Sequence, residues 1–320
     1  MQGKFIAAVR IFCYLVCISL GVSFALAENK PDPAKIIVGP NILASRDGDI
    51  PHVELIVASN PRNAKNLVGA GITQSSAKGS WASKTYASVD GGITWSDSSF
   101  PELHEAGGLD PQVGFGIQGT AYFSALRYVK DEKGQDHAGL IFYRSEDLGR
   151  TWNKPVDLGS SYDHPIMGVD HTTGKYAGRV YLSVLYGYPV YTVGIFRSED
   201  DGRTFVGPVE AANGGGKIGI NTISNIVILR DGTLVVPYVD FEFDPEKAKT
   251  QKALNFWVVS SSDGGITFSA PRKIGSHKIE YTPEGLRFFS VACAASDRSN
   301  LFPDRIYLHG MTFAKADTAW

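Results

Sequence analysis

The chain has 320 residues, with 31 Lys plus Arg against 33 Asp plus Glu and a formal net charge of −2. That balance excludes the basic stripe of a nucleic-acid binder, and the length is enough to bury a large core. The 35 glycines and 11% aromatic residues point to many short strands joined by tight turns rather than to long helices.

The N-terminus reads as a targeting segment. Lys4 and Arg10 precede the apolar run IFCYLVCISLGVSF, and Ala25-Leu26-Ala27 has the small residues of a cleavage site. The run is short for a membrane span. Residues 1–27 are therefore expected to be a signal peptide, and the mature protein to be secreted or periplasmic, with no membrane attachment after cleavage. Cys13 and Cys17 leave with that segment. Cys293 then stands alone, so no intrachain disulfide is available and the core must supply the stability.

After residue 50 the text becomes periodic. HVELIVASNPRNAKNLVGAGI reads as a strand pair, followed by a strand into SVDGGITW (Ser88 to Trp95). The octapeptide returns as SEDLGRTW from Ser145, SEDDGRTF from Ser198 and SSDGGITF from Ser261, at intervals of 57, 53 and 63 residues. Between boxes the order repeats: a strand pair, a strand leading into the box, and a short last strand such as NKPVDLG, VGPVEAA or SAPRKIG. Four strands per unit at this period predicts an all-β propeller, with blades at approximately 50–108, 109–161, 162–213, 218–278 and, in part, 284–320.

Each box reads as a hairpin turn. Asp90, Asp147, Asp200 and Asp263 can accept backbone N–H bonds, and Gly92, Gly149, Gly202 and Gly265 can supply positive φ. Ser88, Ser145, Ser198 and Ser261 can join that local network. Trp95, Trp152, Phe205 and Phe268 return the chain to the core. The boxes are thus expected to be self-contained structural devices rather than ligand sites.

The pattern S-x-D-x-G-x-T-[W/F] at blade intervals resembles the Asp-box, or bacterial neuraminidase, repeat of sialidase-type β-propellers. The resemblance covers nearly all of the chain after residue 50. It implies that the boxes lie on hairpins away from a site at the propeller's centre. It also implies an exo-α-sialidase chemistry: three arginines clamping a carboxylate, a tyrosine nucleophile activated by a glutamate, and an aspartate acid/base. Several motif positions differ. GDIPHVELIVASNP has no arginine beside Ile50-Pro51. In the segment Thr222 to Gly232 apolar residues stand at both of the family's glutamate positions. VVPYVDF lacks the arginine expected after it. Arg287 and Arg305 remain, and Tyr281 beside Glu284 is the available tyrosine.

Counting back from each box places candidate axial residues. His52 lies 36 residues before Ser88, and Asp110 and Asp163 each lie 35 before the next boxes. With Glu54, His164, Asn221, Asn225, Glu284 and Arg287 they form a candidate ring of polar groups around one axis, suited to a glycan or small polar ligand and, through the carboxylates, to a cation. No cofactor motif is present: HEAGG at His104 lacks a second histidine, and GGGKIG at Gly214 is not a phosphate loop. His171 falls on a hairpin turn and is expected to be solvated.

Three functions stay open: a glycan-binding propeller, an exo-α-sialidase or related glycoside hydrolase with a divergent site, and a protein-binding scaffold. The next box would fall near residue 322, and KIIVGPNILAS reads as a closing strand with no complete last blade to join. About five blades are therefore started, and the expectation is a ring open or truncated relative to six or seven blades, with strand edges that invite association. For the N-terminus, mass spectrometry of the exported protein is expected to find a mature chain beginning near Glu28; an intact Met1 would contradict the signal-peptide reading.

Overall fold

A computed structural model of the protein describes residues 38–74, 81–187, 191–213, 219–222, 225–243, 251–278 and 293–309. The compact unit carrying the elements below begins at Ile42. The first sheet is β1 (His52–Asn60), β2 (Asn63–Gln74), β3 (Trp81–Ser88) and β4 (Ser96–Ser99), paired in that order. A short helix, α1 (Pro101–Ala106), leads to the second sheet: β5 (Leu109–Phe115), β6 (Ala121–Lys130), β7 (Asp136–Ser145) and β8 (Val156–Ser160). The third is β9 (Tyr162–Val169), β10 (Val180–Tyr186), β11 (Thr192–Ser198) and β12 (Val206–Asn213). In the fourth, β13 (Gly219–Thr222) and β14 (Val227–Ile228) both pair with β15 (Leu234–Phe243), followed by β16 (Gln251–Ser261) and β17 (Arg272–Lys278). β18 (Cys293–Ser296) and β19 (Ile306–His309) pair as a fifth sheet. Every pairing is antiparallel, and the molecule is an all-β propeller.

Two elements differ from the sequence reading. The first strand of the fourth unit is interrupted, with β13 added ahead of the expected start. Residues 38–46 carry no strand, because Gly39 and Pro40 break the apolar alternation there.

The middle strands of the second, third and fourth sheets are apolar on both faces because each of these sheets packs against two others. On β6, Phe123 and Ala125 pack with Val68 and Ala70 of the first sheet, while Tyr122 and Leu126 pack with Val180 and Leu182 of the third. Tyr181 and Leu185 then meet Leu234 and Val236 of the fourth sheet, and Val227 and Val235 meet Ala294 of the fifth. A period-two strand buried on both sides reads as a nearly continuous apolar run, which is what AYFSAL shows.

The four boxes share one hydrogen-bond scheme. Each serine hydroxyl donates to the aspartate Oδ1 at 2.7–2.8 Å and accepts the glycine N–H at 2.8–2.9 Å. The threonine one place before the aromatic residue donates its N–H to Oδ1 at 2.9 Å and its hydroxyl to Oδ2 at 2.5–2.7 Å. These bonds hold the Asp90 carboxyl at about 2, chiefly through Thr94, and Asp263 well below the usual range through Thr267. The turn needs two successive residues at positive φ, the glycine and the residue before it. Gly91 and Gly264 fill the earlier place without strain, whereas Leu148 (φ 68°) and Asp201 (φ 64°) occupy it as L-residues.

The last three boxes are not self-contained, because each reaches back to the preceding sheet. Trp152 Nε1 donates to Thr85 Oγ1 at 3.0 Å. Asp201 accepts the Arg144 guanidinium at 2.6 Å, the Tyr122 hydroxyl at 2.5 Å and the Thr120 hydroxyl at 3.0 Å. Arg179 donates to the Gly264 carbonyl at 2.7 Å, and Tyr176 to the Ser262 carbonyl at 3.3 Å. Sequence reading missed this clasp because Asp201 falls at a variable position of the box.

Two substitutions separate turn from clasp. Asp201→Ala removes the carboxylate that meets the buried Arg144 Nη2 and the Tyr122 hydroxyl and is expected to cost about 2–3 kcal/mol in chemical unfolding. The exposed Arg203→Ala, two residues away, is expected to stay within about 0.5 kcal/mol. Asp147→Ala removes an internal turn acceptor and should cost about 1–3 kcal/mol. Equal unfolding midpoints for Asp201→Ala and Arg203→Ala would rule out the clasp.

Candidate functional site

The first strands of the sheets line the axis, with β1 beside β5 and β5 beside β9. Each sheet is an antiparallel meander outward from this strand. The first strands therefore all start at one end, and the boxes, which follow the third strands, all turn at the other.

At the starting end, three consecutive first strands carry the same irregularity. Between Val53 and Ile56 two residues oppose one on β2; the same happens between Leu109 and Gln112 on β5, and between Asp163 and Ile166 on β9. Each is a β-bulge, and its first residue is left-handed although not glycine: Glu54 at φ 52°, Asp110 at φ 48° and His164 at φ 48°. A left-handed conformation is uncommon outside glycine, least so at Asp and His and more so at Glu54, and is retained where the surroundings impose it. The bulges turn Glu54, Asp110 and His164 toward one another at the mouth of the axis.

The resulting contacts are short. The His164 N–H lies 3.2 Å from Asp110 Oδ2 and 3.0 Å from Asp163 Oδ1. Glu54 and Asp110 meet carboxyl to carboxyl. Loss of water around Glu54 raises its pKa, and the neighbouring Asp110 charge raises it further, although its side chain still reaches solvent. Asp110 is half-buried; burial is the largest cause raising its pKa, with the Asp163 charge adding and His164 opposing. Both carboxyls are thus raised above their ordinary values, and their titrations are coupled.

The structure brings together Glu54, Asp110, Asp163 and His164 of the sequence candidates. His52 is elsewhere: its Nε2 lies 2.7 Å from the Tyr86 hydroxyl and 3.2 Å from Asp47 Oδ2, and Nδ1 lies 2.8 Å from the Ile50 carbonyl. Counting back from the box misplaced it by two residues, because Glu54 and not His52 is the bulge residue equivalent to Asp110. Asn221 lies on β13, opposite Val239, and Asn225 is exposed at the interruption between β13 and β14. Glu284, Arg287, Tyr281 and most of the Gly214 loop lie outside the described residues. Arg305 stacks on Phe302, 3.9 Å from the ring centre, in the hairpin between β18 and β19, at the end opposite the mouth. Among the described residues no three His, Cys, Asp or Glu side chains are grouped as donors for a metal ion, so the cation reading gains no support.

No family model matches the chain, and no curated protein matches it. Solved structures do. The intramolecular trans-sialidase from Ruminococcus gnavus is similar at a TM-score of 0.54 and 12% identity, over 78% of this chain and 74% of that one. An α-L-arabinanase from Penicillium chrysogenum, complexed with arabinobiose, is similar at 0.55 and 14% identity, over 80% and 74%. The GH93 α-L-arabinofuranosidase of Fusarium graminearum, also with arabinobiose, is similar at 0.55 and 15% identity, over 83% and 76%. At these identities the likeness is one of fold: the chain has the propeller architecture that sialidases and arabinan-cleaving hydrolases share.

The raised carboxyls predict a particular pH dependence. Their folded-state pKa values lie above the unfolded ones, so the folded state binds more protons and stability falls as pH rises through that window. Asp110→Asn keeps an acceptor for His164 and a residue type tolerant of left-handed φ. It is expected to raise the thermal midpoint at pH 7–8 and to leave it nearly unchanged at pH 4. A lower midpoint at pH 7–8 would show that the Asp110 charge stabilises the fold.

Proposed function

We propose that this protein is a glycan-binding propeller whose ligand sits at the axial mouth between Glu54, Asp110, Asp163 and His164. The observation that carries the reading is the left-handed bulge repeated in three consecutive first strands. The fold does not need these bulges for its ladders. Their effect is to gather titratable groups in the open mouth, where strain and unfavourable charge are characteristic of a site in use. Carboxylates are strong acceptors for sugar hydroxyls. They also set the charge of the ligand. The described charged groups of the mouth are Glu54, Asp110, Asp163 and His164, so an acidic sugar would meet carboxylates there. A neutral glycan fits the mouth better than a sialylated one.

The pair of raised carboxyls favours one further reading, that the bound glycan is also cleaved. A carboxyl raised above its ordinary value beside a second carboxyl has the makings of a general acid with its counterpart. In this role Glu54 holds the proton for the leaving oxygen, and Asp110 keeps it there.

Calorimetric titration with arabinobiose and with sialyllactose tests both points. Arabinobiose is expected to bind, sialyllactose to bind more weakly, and Asp110→Asn to weaken arabinobiose binding by about tenfold or more, the scale of a charge-assisted hydrogen bond. Turnover of a fluorogenic arabinoside that disappears in Glu54→Gln would establish cleavage. Tighter binding of sialyllactose than of arabinobiose would overturn the choice of a neutral ligand. Arabinobiose affinity unchanged in both variants would remove the mouth as the site.

A further inference from the structure

The opposite end of the molecule holds a second concavity, at the junction of three hairpins. The turn between β9 and β10 runs from residue 170 to 179 and that between β18 and β19 from 297 to 305, whereas the turn between β14 and β15 spans only 229 to 233. A short turn flanked by two long ones leaves a trough above it. The trough has a volume of about 330 Å³, with Leu229 and Arg230 as its floor, His171 to Thr173 on one wall, and Ser296 to Arg298 with Asp304 on the other. That is within the size range of small-molecule sites.

The trough is held open by bonds that use up most of its polar groups. The Arg230 guanidinium donates to Asn300 Oδ1 at 3.2 Å, to the Arg298 carbonyl at 3.1 Å and to the Ser299 carbonyl, which fixes the floor to one wall. Asp304 Oδ1 accepts the Arg230 N–H at 2.9 Å, and Asp297 Oδ1 accepts the Ser299 N–H at 2.6 Å. The Asp297 carboxyl is held below its usual range, first by these Ser299 hydrogen bonds and then by the Arg305 and Arg230 charges. His171 is half-buried rather than solvated, and its Nε2 donates to the Phe115 carbonyl of the second sheet at 2.6 Å. Both walls are thereby fixed by neighbours.

What remains unused is rich in donors. The Arg298 side chain and the Thr173 hydroxyl have no partner among the described residues. Of the charges that line the trough, Asp297 and Asp304 already face backbone amides and Arg230 is committed to the wall, which leaves Arg298 as the uncommitted one. The corresponding junction of the first two sheets is closed: Arg62 is spent on Gln118 Oε1 at 2.9 Å, and Gly119 packs against Asn60. The fork of an unpaired arginine matches a planar or tetrahedral oxyanion.

We infer that the trough between the β9–β10, β14–β15 and β18–β19 hairpins is a second binding site, which takes a small ligand through a carboxylate, sulfate or phosphate group held by Arg298 and Thr173. It is independent of the axial mouth and takes an anion where the mouth takes a neutral ligand.

Titration of the full-length protein with sodium sulfate, sodium phosphate and sodium glucuronate, against sodium chloride at matched ionic strength, tests the inference. At least one oxyanion is expected to bind saturably and to raise the thermal midpoint beyond the chloride control. The most effective of the three identifies the group. Arg298→Ala is expected to weaken that binding by about tenfold or more, and Arg298→Lys to recover only part of it, since a lysine is a point charge without the fork. Asp110→Asn at the other end should leave it unchanged. Arg298 is exposed, so folding of its variants is not at issue. Absence of saturable binding beyond chloride, or equal affinity in Arg298→Ala, would overturn the inference.

Discussion

The fold depends on a clasp that the sheets cannot make with their backbones. Strands within a sheet are joined by ladders, but neighbouring sheets of a propeller meet only through side chains, and apolar faces alone are tolerant of sliding. Directional groups fix the alignment. Arg144, almost fully buried, reaches the carboxylate and carbonyl of Asp201 in the next sheet's box, and the Tyr122 hydroxyl shares the same carboxylate. Arg179 and Tyr176 do the equivalent for the following box with backbone carbonyls. Removing water from an arginine is expensive unless its N–H groups are met, so these contacts form only when the sheets are in register. The left-handed strain at Asp201 is offset by three side-chain partners.

Both ends of the molecule hold left-handed residues, for different reasons. In the boxes the hairpin itself demands them, and glycine fills the demand wherever no side chain is needed. In the bulges the chain would run straight without them, yet Glu54, Asp110 and His164 are bent toward a common point. The electrostatics separate in the same way. Box aspartates are surrounded by donors and are lowered; the mouth carboxyls are short of water and close to one another and are raised. The boxes thus gain stability when ionised, and the mouth loses it. A fold can carry that loss only where the surrounding ladders and clasps exceed it, and here the raised groups stand at the end away from the clasps.

The repeat in the sequence was enough to read the sheets, because Ser, Asp, Gly and an aromatic residue recur at fixed offsets and each is needed for the same turn. The clasp was hidden because its residues occupy the variable places of that pattern: Asp201 stands where Gly91, Leu148 and Gly264 stand in other boxes. The mouth was half visible. Asp110 and Asp163 precede bulge prolines at the same distance from their boxes, and a proline there removes an N–H that the bulge leaves unpaired. The first sheet has Leu55 in place of that proline, so counting alone selected His52, while Glu54 takes the bulge position. His171 looked like a solvated turn residue because its partner, the Phe115 carbonyl, lies 56 residues away in another sheet.

Hairpin length explains why two chemistries can coexist on one scaffold. The clasps need only the boxes and the strands they grip, so the turns between first and second strands are free to vary. Between β1 and β2 just Pro61 and Arg62 intervene, and the neighbouring Gln118 closes over them. Lengthening the turns of the third and fifth sheets, but not that of the fourth, opens a trough without disturbing a ladder. The mouth works by the opposite means, since it is made within the first strands, where an added residue must be absorbed as a bulge and its side chain redirected. Insertion in a turn leaves wall groups such as Arg298 uncommitted, while insertion in a strand forces groups such as Glu54 and Asp110 into contact. The first route yields free donors suited to an anion. The second yields crowded acids suited to hydroxyls and to moving a proton.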